Sequence, residues 1–138
     1  MARTPKLRWV ARLVVEAVQL DLIREHGGMP GLRDEHALEA SLARPKQRRV
    51  YESGADLASL AASYGRGLCQ GHPFADGNKR IAFLTMAIFL GLNGHEIEAP
   101  EAEVVAVMTA LAAGEIDQEA LASWVRSRMA PTSASQSD

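Results

Sequence analysis

Positions 72 to 80 read His-Pro-Phe-Ala-Asp-Gly-Asn-Lys-Arg, directly ahead of an apolar run from Ile81 to Leu92. An imidazole, a carboxylate, a glycine, a carboxamide and two cations in one short stretch outline a phosphate site. If a helix begins around Asn78, the amides from Gly77 through Arg80 are unpaired donors at the positive end of a helix dipole. Gly77 lets the backbone approach a ligand closely and adopt a positive φ. Asn78 can cap the helix or reach a phosphate oxygen, and Lys79 and Arg80 supply positive charge, Arg80 through a planar fork of donors. Asp76 is a hard oxygen ligand of the kind that holds magnesium together with nucleotide phosphates. His72 carries an imidazole that can take a proton from an attacking hydroxyl, while Pro73 predicts an extended backbone at His72. Phe74 is the natural anchor of the loop in the core.

Taken one at a time, these residues have ordinary roles: a histidine at a helix exit is commonly solvated, and Asp76-Gly77 alone is a turn. The constellation carries the reading. His26, His36 and His95 fall at helix ends and polar turns and are given no role. Cys69 reads as a small buried filler. The spacing from Gly71 to Lys79 is not that of a P-loop, since Gly77 is followed by Asn78 rather than by Lys and Ser or Thr.

The elements that position this stretch are predicted to be helices. Val10, Leu13, Val14, Ala17, Val18 and Leu22 recur at helical spacing with Arg12, Glu16 and Gln19 off the stripe, until Gly27-Gly28 stops the pattern. Asp34 caps a short helix through Leu38 and Leu42 that ends near Pro45. The segment from Pro45 to Ala55 lacks an apolar period and is expected to be an exposed loop or short hairpin. Asp56 caps a third helix with Leu57, Leu60, Ala61, Tyr64 and Leu68 on one face, stopped by Gly71 and Pro73. Ile81 to Asn93, apolar nearly all round, is expected to be the central buried helix. Pro100 opens another helix, and Asp117 caps a last one bearing Leu121, Trp124 and Val125. The fold class is all-α: about six helices in one domain, residues 1–129, followed by a disordered tail from Ala130 to Asp138.

Bulk properties narrow the function. A net charge of −2 over 138 residues and a pI near 6.1 give no basic footprint, so no direct nucleic-acid partner is expected. A single cysteine excludes an internal disulfide or thiolate zinc site and fits a cytoplasmic protein. The longest apolar run is too short for a bilayer, and no membrane association is expected.

His72 to Arg80 resembles the signature of the Fic/Doc superfamily, H-x-F-x-[DE]-[AG]-N-[GK]-R, at every specified position. The likeness extends to Gly27-Gly28-Met29-Pro30-Gly31-Leu32, similar to the G-G-L-P-G-M element of Doc-type members, and to Phe89-Leu90-Gly91-Leu92-Asn93-Gly94 and Ala113-Gly114-Glu115-Ile116. Two positions separate branches of the superfamily. Fic adenylyltransferases carry glycine where this chain has Lys79 and a second arginine where it has Phe83, whereas Doc-type members share the lysine and lack that arginine. Pro73 and Gly77 are the more Fic-like positions.

The resemblance implies a Doc-type toxin: a protein kinase that moves the γ-phosphate of ATP to a hydroxyl of a translation factor, elongation factor Tu, and arrests growth. His72 would be the base and Asp76 the Mg2+ ligand, with Gly77, Asn78, Lys79 and Arg80 binding phosphate. A Phd-like antitoxin would restrain the toxin through a C-terminal segment that folds on binding. No [ST]-x-x-x-E-[GN] self-inhibitory motif occurs in the chain, so restraint would come from another chain. The alternatives are a nucleotidyl transferase of Fic type and a catalytically weak antitoxin-binding corepressor. The polar segment carrying Lys46, Arg48, Arg49, Val50 and Tyr51 is expected to be a target-docking flap.

Overall fold

The computed structural model describes residues 6–132. The order of elements is α1 (Arg12–His26), α2 (Glu35–Tyr51), α3 (Leu57–Gly71), α4 (Asn78–Leu92), β1 (His95–Ile97), α5 (Glu101–Ala112), α6 (Gln118–Arg128) and β2 (Met129–Pro131). The fold is mainly α, as the periodicity predicts. Three of the helices start where an aspartate caps them: Asp34 accepts from Ala37 N–H at 3.0 Å, Asp56 from Ser59 N–H at 2.9 Å and Asp117 from Ala120 N–H at 2.8 Å.

The centre of the bundle is α3 rather than α4. It packs against α2, α4, α5 and α6, and nearly every residue from Ala58 to Cys69 is buried. Small residues make this possible. A Cβ at Gly65 would lie 2.5 Å from the Met86 sulfur on α4, and one at Gly67 would lie 3.1 Å from Ser41 Cβ on α2. Alanine, serine and glycine score weakly in a hydrophobic pattern, so the more apolar α4 looked the deeper of the two. In fact α4 buries Ile81, Ala82, Thr85, Met86, Phe89 and Leu90 and leaves its other faces less enclosed.

Three further expectations are corrected. Pro45 does not end α2, which runs on to Tyr51 and replaces the expected loop or hairpin over its first half. A mid-helix proline loses one hydrogen bond and costs about 3 kcal/mol in isolation; here Pro45 is itself buried and α2 packs along α3. The buried face of α1 is rotated relative to the predicted stripe: Val15 and Gln19 are buried, and Val18 and Leu22 pack against the core as expected, whereas Leu13 is 77% exposed and Val14 40%. Lastly, β1 and β2 pair antiparallel, Ile97 opposite Met129 and His95 opposite Pro131, so Ala130 and Pro131 are ordered strand. Residues 133–138 of the expected tail lie outside the described residues.

Among the described residues no helix is long and apolar enough to cross a membrane.

Candidate active site

The signature loop joins the C-terminus of α3 to the N-terminus of α4, the two helices with the most buried residues. His72 closes α3 in the left-handed conformation, φ 49° and ψ 54°, the one non-glycine residue with positive φ among the described residues. The extended backbone predicted from Pro73 is therefore not adopted. A left-handed histidine costs roughly 1–2 kcal/mol, and the surroundings hold it there. Arg33 donates through Nε to His72 O at 2.7 Å and through Nη2 to Gly71 O at 3.2 Å. Arg33 N–H and Asp34 N–H both donate to Pro73 O, at 2.8 and 3.0 Å. The turn directs the His72 side chain to the exposed surface while Pro73 and Phe74 go inward.

Phe74 is buried, and its backbone bridges Leu32 in antiparallel fashion. Asn78 closes the loop on itself: Phe74 N–H donates to Asn78 Oδ1 and Asn78 Nδ2 donates to Phe74 O, both at 3.0 Å. Its side chain thus shapes the loop, using Oδ1 and one of the two Nδ2 hydrogens. Gly77, with φ 87°, is the N-cap of α4, and the first intrahelical bond runs from Ile81 N–H to Gly77 O at 2.9 Å. The amides of Asn78, Lys79 and Arg80 consequently have no intrahelical acceptor and mark the positive end of the helix. Gly77 is required by its φ; a Cβ would meet only Ile81 at ordinary contact distance, 3.5 Å.

Asp76 is exposed, and its Oδ2 accepts from Met29 N–H at 2.6 Å, which leaves the other carboxylate oxygen for a ligand. The loop 27–34 comes this close because Gly28 lacks a side chain: a Cβ would lie 3.2 Å from Asp76 Oδ2. No group of three or more His, Cys, Asp or Glu residues gathers among the described residues. A lone carboxylate fits magnesium, which binds through one or two carboxylates plus water and substrate phosphates.

This arrangement of exposed histidine, carboxylate and free helix amides falls inside the stretch, residues 9–90, that matches the family model described as Fic/DOC family. The chain belongs to the Fic/DOC family. It is similar to the protein kinase doc of Escherichia phage P1, 35% identical over 105 residues, covering 75% of this chain and 82% of that protein. It is also similar to toxin Doc of Mycolicibacterium smegmatis, 39% identical over 77 residues, covering 53% of this chain and 57% of that protein. It is a Doc-type member of the family.

The polar side chain that holds this Fic/DOC loop together was not singled out by sequence. Gln19 of α1 is buried; its Nε2 donates to Met29 O at 3.1 Å and to Asp76 O at 3.4 Å, and its Oε1 accepts from Gly31 N–H at 3.2 Å. With Ala75 N–H donating to Gly31 O at 3.0 Å, it ties α1, loop 27–34 and the signature into one unit. The only signal in the sequence is that Gln19 sits four residues beyond Val15, on the face that turns out to be buried. Arg33 gave no signal at all.

Lys79 and Arg80 are exposed at the mouth of a cleft of about 650 Å³ whose apolar walls include Phe83, Val104, Val105 and Met108. Cys69, on the α3 turn before the loop, is buried as expected, and burial pushes its thiol up. The residues expected to form a docking flap are elsewhere. Ala37 and Ser41 of α2 lie against Gly71 and Gly67 of α3, so the two helices run antiparallel. Lys46, Arg48, Arg49, Val50 and Tyr51 therefore sit toward the start of α3, roughly 14–21 Å along the helix from the His72 end at 1.5 Å per residue. There Arg48 pairs with Glu52 at 3.4 Å and with Glu119 of α6 at 3.1 Å. The premise of that assignment, a loop beside the site, is absent; the segment bordering the signature is 27–34, with Met29 62% exposed.

Proposed function

We propose that this protein is a toxin that acts as a protein kinase, transferring the γ-phosphate of ATP to a hydroxyl of elongation factor Tu. The observation that carries the reading is the pair Lys79 and Phe83. Lys79 places a cation at the open N-terminus of α4, and Phe83, one turn on, contributes to an apolar wall where nucleotidyl transfer would use a second arginine. One relative is named a protein kinase, which supports the same reading.

In this mechanism His72 accepts the proton of the target hydroxyl as its oxygen attacks the γ-phosphorus. The bond to the oxygen bridging the β- and γ-phosphorus breaks, and ADP leaves with that oxygen. The free amides of α4 with Lys79 and Arg80 stabilise charge spreading over the transferring group, an effect of positioning and electrostatics. Asp76 would hold magnesium, which neutralises phosphate charge when bound. Loop 27–34, through its exposed Met29 and Leu32, is the surface a protein target meets beside His72.

The partner in this proposal is a Phd-like antitoxin. The apolar cleft beside Lys79 and Arg80 has the chemistry to seat an amphipathic helix with acidic residues at one end, and a helix there would cover the phosphate-binding cations. Incubation with ATP labelled at the γ- or the α-phosphate tests the activity. Label should reach elongation factor Tu from the γ-position only; transfer from the α-position would establish nucleotidyl transfer instead.

A further inference from the structure

On the opposite side of α3 from the apolar cleft's walls, α2 and α3 enclose a second, smaller cleft of about 220 Å³, lined by Ser41, Arg44, Arg66, Gly67, Gln70 and Gly71 among others. Neither aspartate nor glutamate lines it. Four arginines elsewhere are matched to acids across the fold, Arg12 to Glu35 and Glu39, Arg48 to Glu119, Arg126 to Asp56 and Arg128 to Glu103, while Arg33 and Arg49 bond backbone carbonyls. Arg44 and Arg66 have no carboxylate partner among the described residues, and they share this one cleft. Arg66 is half-buried on the most enclosed helix of the fold, where a guanidinium gains most from a fixed counter-charge.

We propose that this cleft is a carboxylate-binding subsite that receives an acidic side chain of the protein substrate and so sets which hydroxyl reaches His72. The inference rests on the protein-kinase reading above. The cleft's size agrees with it: 220 Å³ is below the roughly 300–1,000 Å³ of pockets that take whole small-molecule ligands, yet ample for one carboxylate. Its floor is closely packed, because Gly67 lets α3 lie directly on Ser41, while Ala37 faces Gly71 at ordinary contact distance. Its position also agrees. The cleft reaches Gly71, next to His72, and Arg66 lies about 9 Å back along α3 at 1.5 Å per residue. In an extended substrate segment rising about 3.3 Å per residue, that separation corresponds to an acidic side chain about three residues from the accepting hydroxyl. Two guanidinium forks are suited to bidentate recognition of such a group.

The test uses the full chain and measures phosphoryl transfer from γ-labelled ATP to elongation factor Tu by Arg44→Glu, Arg66→Glu and the corresponding lysine variants. The glutamate variants should raise KM for the protein substrate about tenfold, with kcat and KM for ATP within about twofold of wild type, and the lysine variants should lie between. If Arg66→Glu does not fold, Arg44→Glu, at an exposed position, reads the same effect alone. An active kinase whose KM for protein is unchanged, or whose KM for ATP rises equally, overturns the subsite and leaves the kinase reading intact. Absence of transfer by the wild-type chain overturns the kinase reading and the subsite with it.

Discussion

At its N-terminal end α3 is closed by Asp56, which caps Ser59 N–H at 2.9 Å and takes the Arg126 guanidinium in two hydrogen bonds of 2.7 and 3.0 Å. At its C-terminal end the same helix is closed by a left-handed histidine whose own carbonyl must be held by a guanidinium from another segment. The first end is unstrained: a side chain caps it and its carboxylate is paired, and the contacts join α3 to α6. The second end holds a strained residue, an open helix N-terminus and exposed cations, all supported from behind by Gln19 and Arg33. Matched charge is concentrated at one end of α3 and chemistry at the other.

The largest effect that would sharpen this contrast is on rate. His72→Ala should lower phosphoryl transfer by about 10²- to 10⁴-fold with little change in thermal unfolding; near-normal turnover would remove the base from the mechanism. Next is Gln19→Leu, which leaves Met29 O, Asp76 O and Gly31 N–H without their shared partner. A loss of about 2 kcal/mol in denaturant unfolding is expected, together with a raised magnesium requirement as Asp76 loses its fixed position. Equal activity across magnesium concentrations would reduce Gln19 to a structural role. His72→Gly should move stability the other way, gaining roughly 1 kcal/mol from relief of the left-handed conformation while activity is lost; a destabilised variant would contradict strain at this end.

The smallest effect belongs to the other end. The Arg126 guanidinium, followed by the Ser59 amide, holds the Asp56 carboxyl well below the usual carboxylate range. A lowered folded pKa means that this contribution is complete above the unfolded value of about 4 and is lost as pH falls below it toward the folded value. Because the pair is about half-exposed, its worth is held to about 0.5–1 kcal/mol. Asp56→Asn should keep the cap, lose that amount near neutral pH, and unfold with a shallower acid dependence below pH about 4. An unchanged acid limb would show that the pair adds nothing.

The same contrast explains what was legible in the sequence. Asp34, Asp56 and Asp117 act on amides three residues away, so local pattern sufficed to place three helix starts. Gly77 and the amides behind it follow from the apolar run they precede. What was not legible depends on distant segments. Pro45 stays helical because α3 lies alongside, and Gln19 is buried because backbone groups of two loops converge on it. His72 turns left-handed against the preference Pro73 imposes because Arg33, far back in the chain, holds the carbonyls on either side of the turn. The site's chemistry was written in one contiguous stretch; its support was dispersed over α1 and the loop after it.

The central claim, that the strained end of α3 performs phosphoryl transfer, is tested most directly by the intact mass of elongation factor Tu after incubation with ATP, magnesium and either wild-type protein or His72→Ala. The account predicts a single phosphoryl increment with the wild type and none with the variant. A nucleotidyl increment, or a phosphoryl increment that persists without His72, would contradict it.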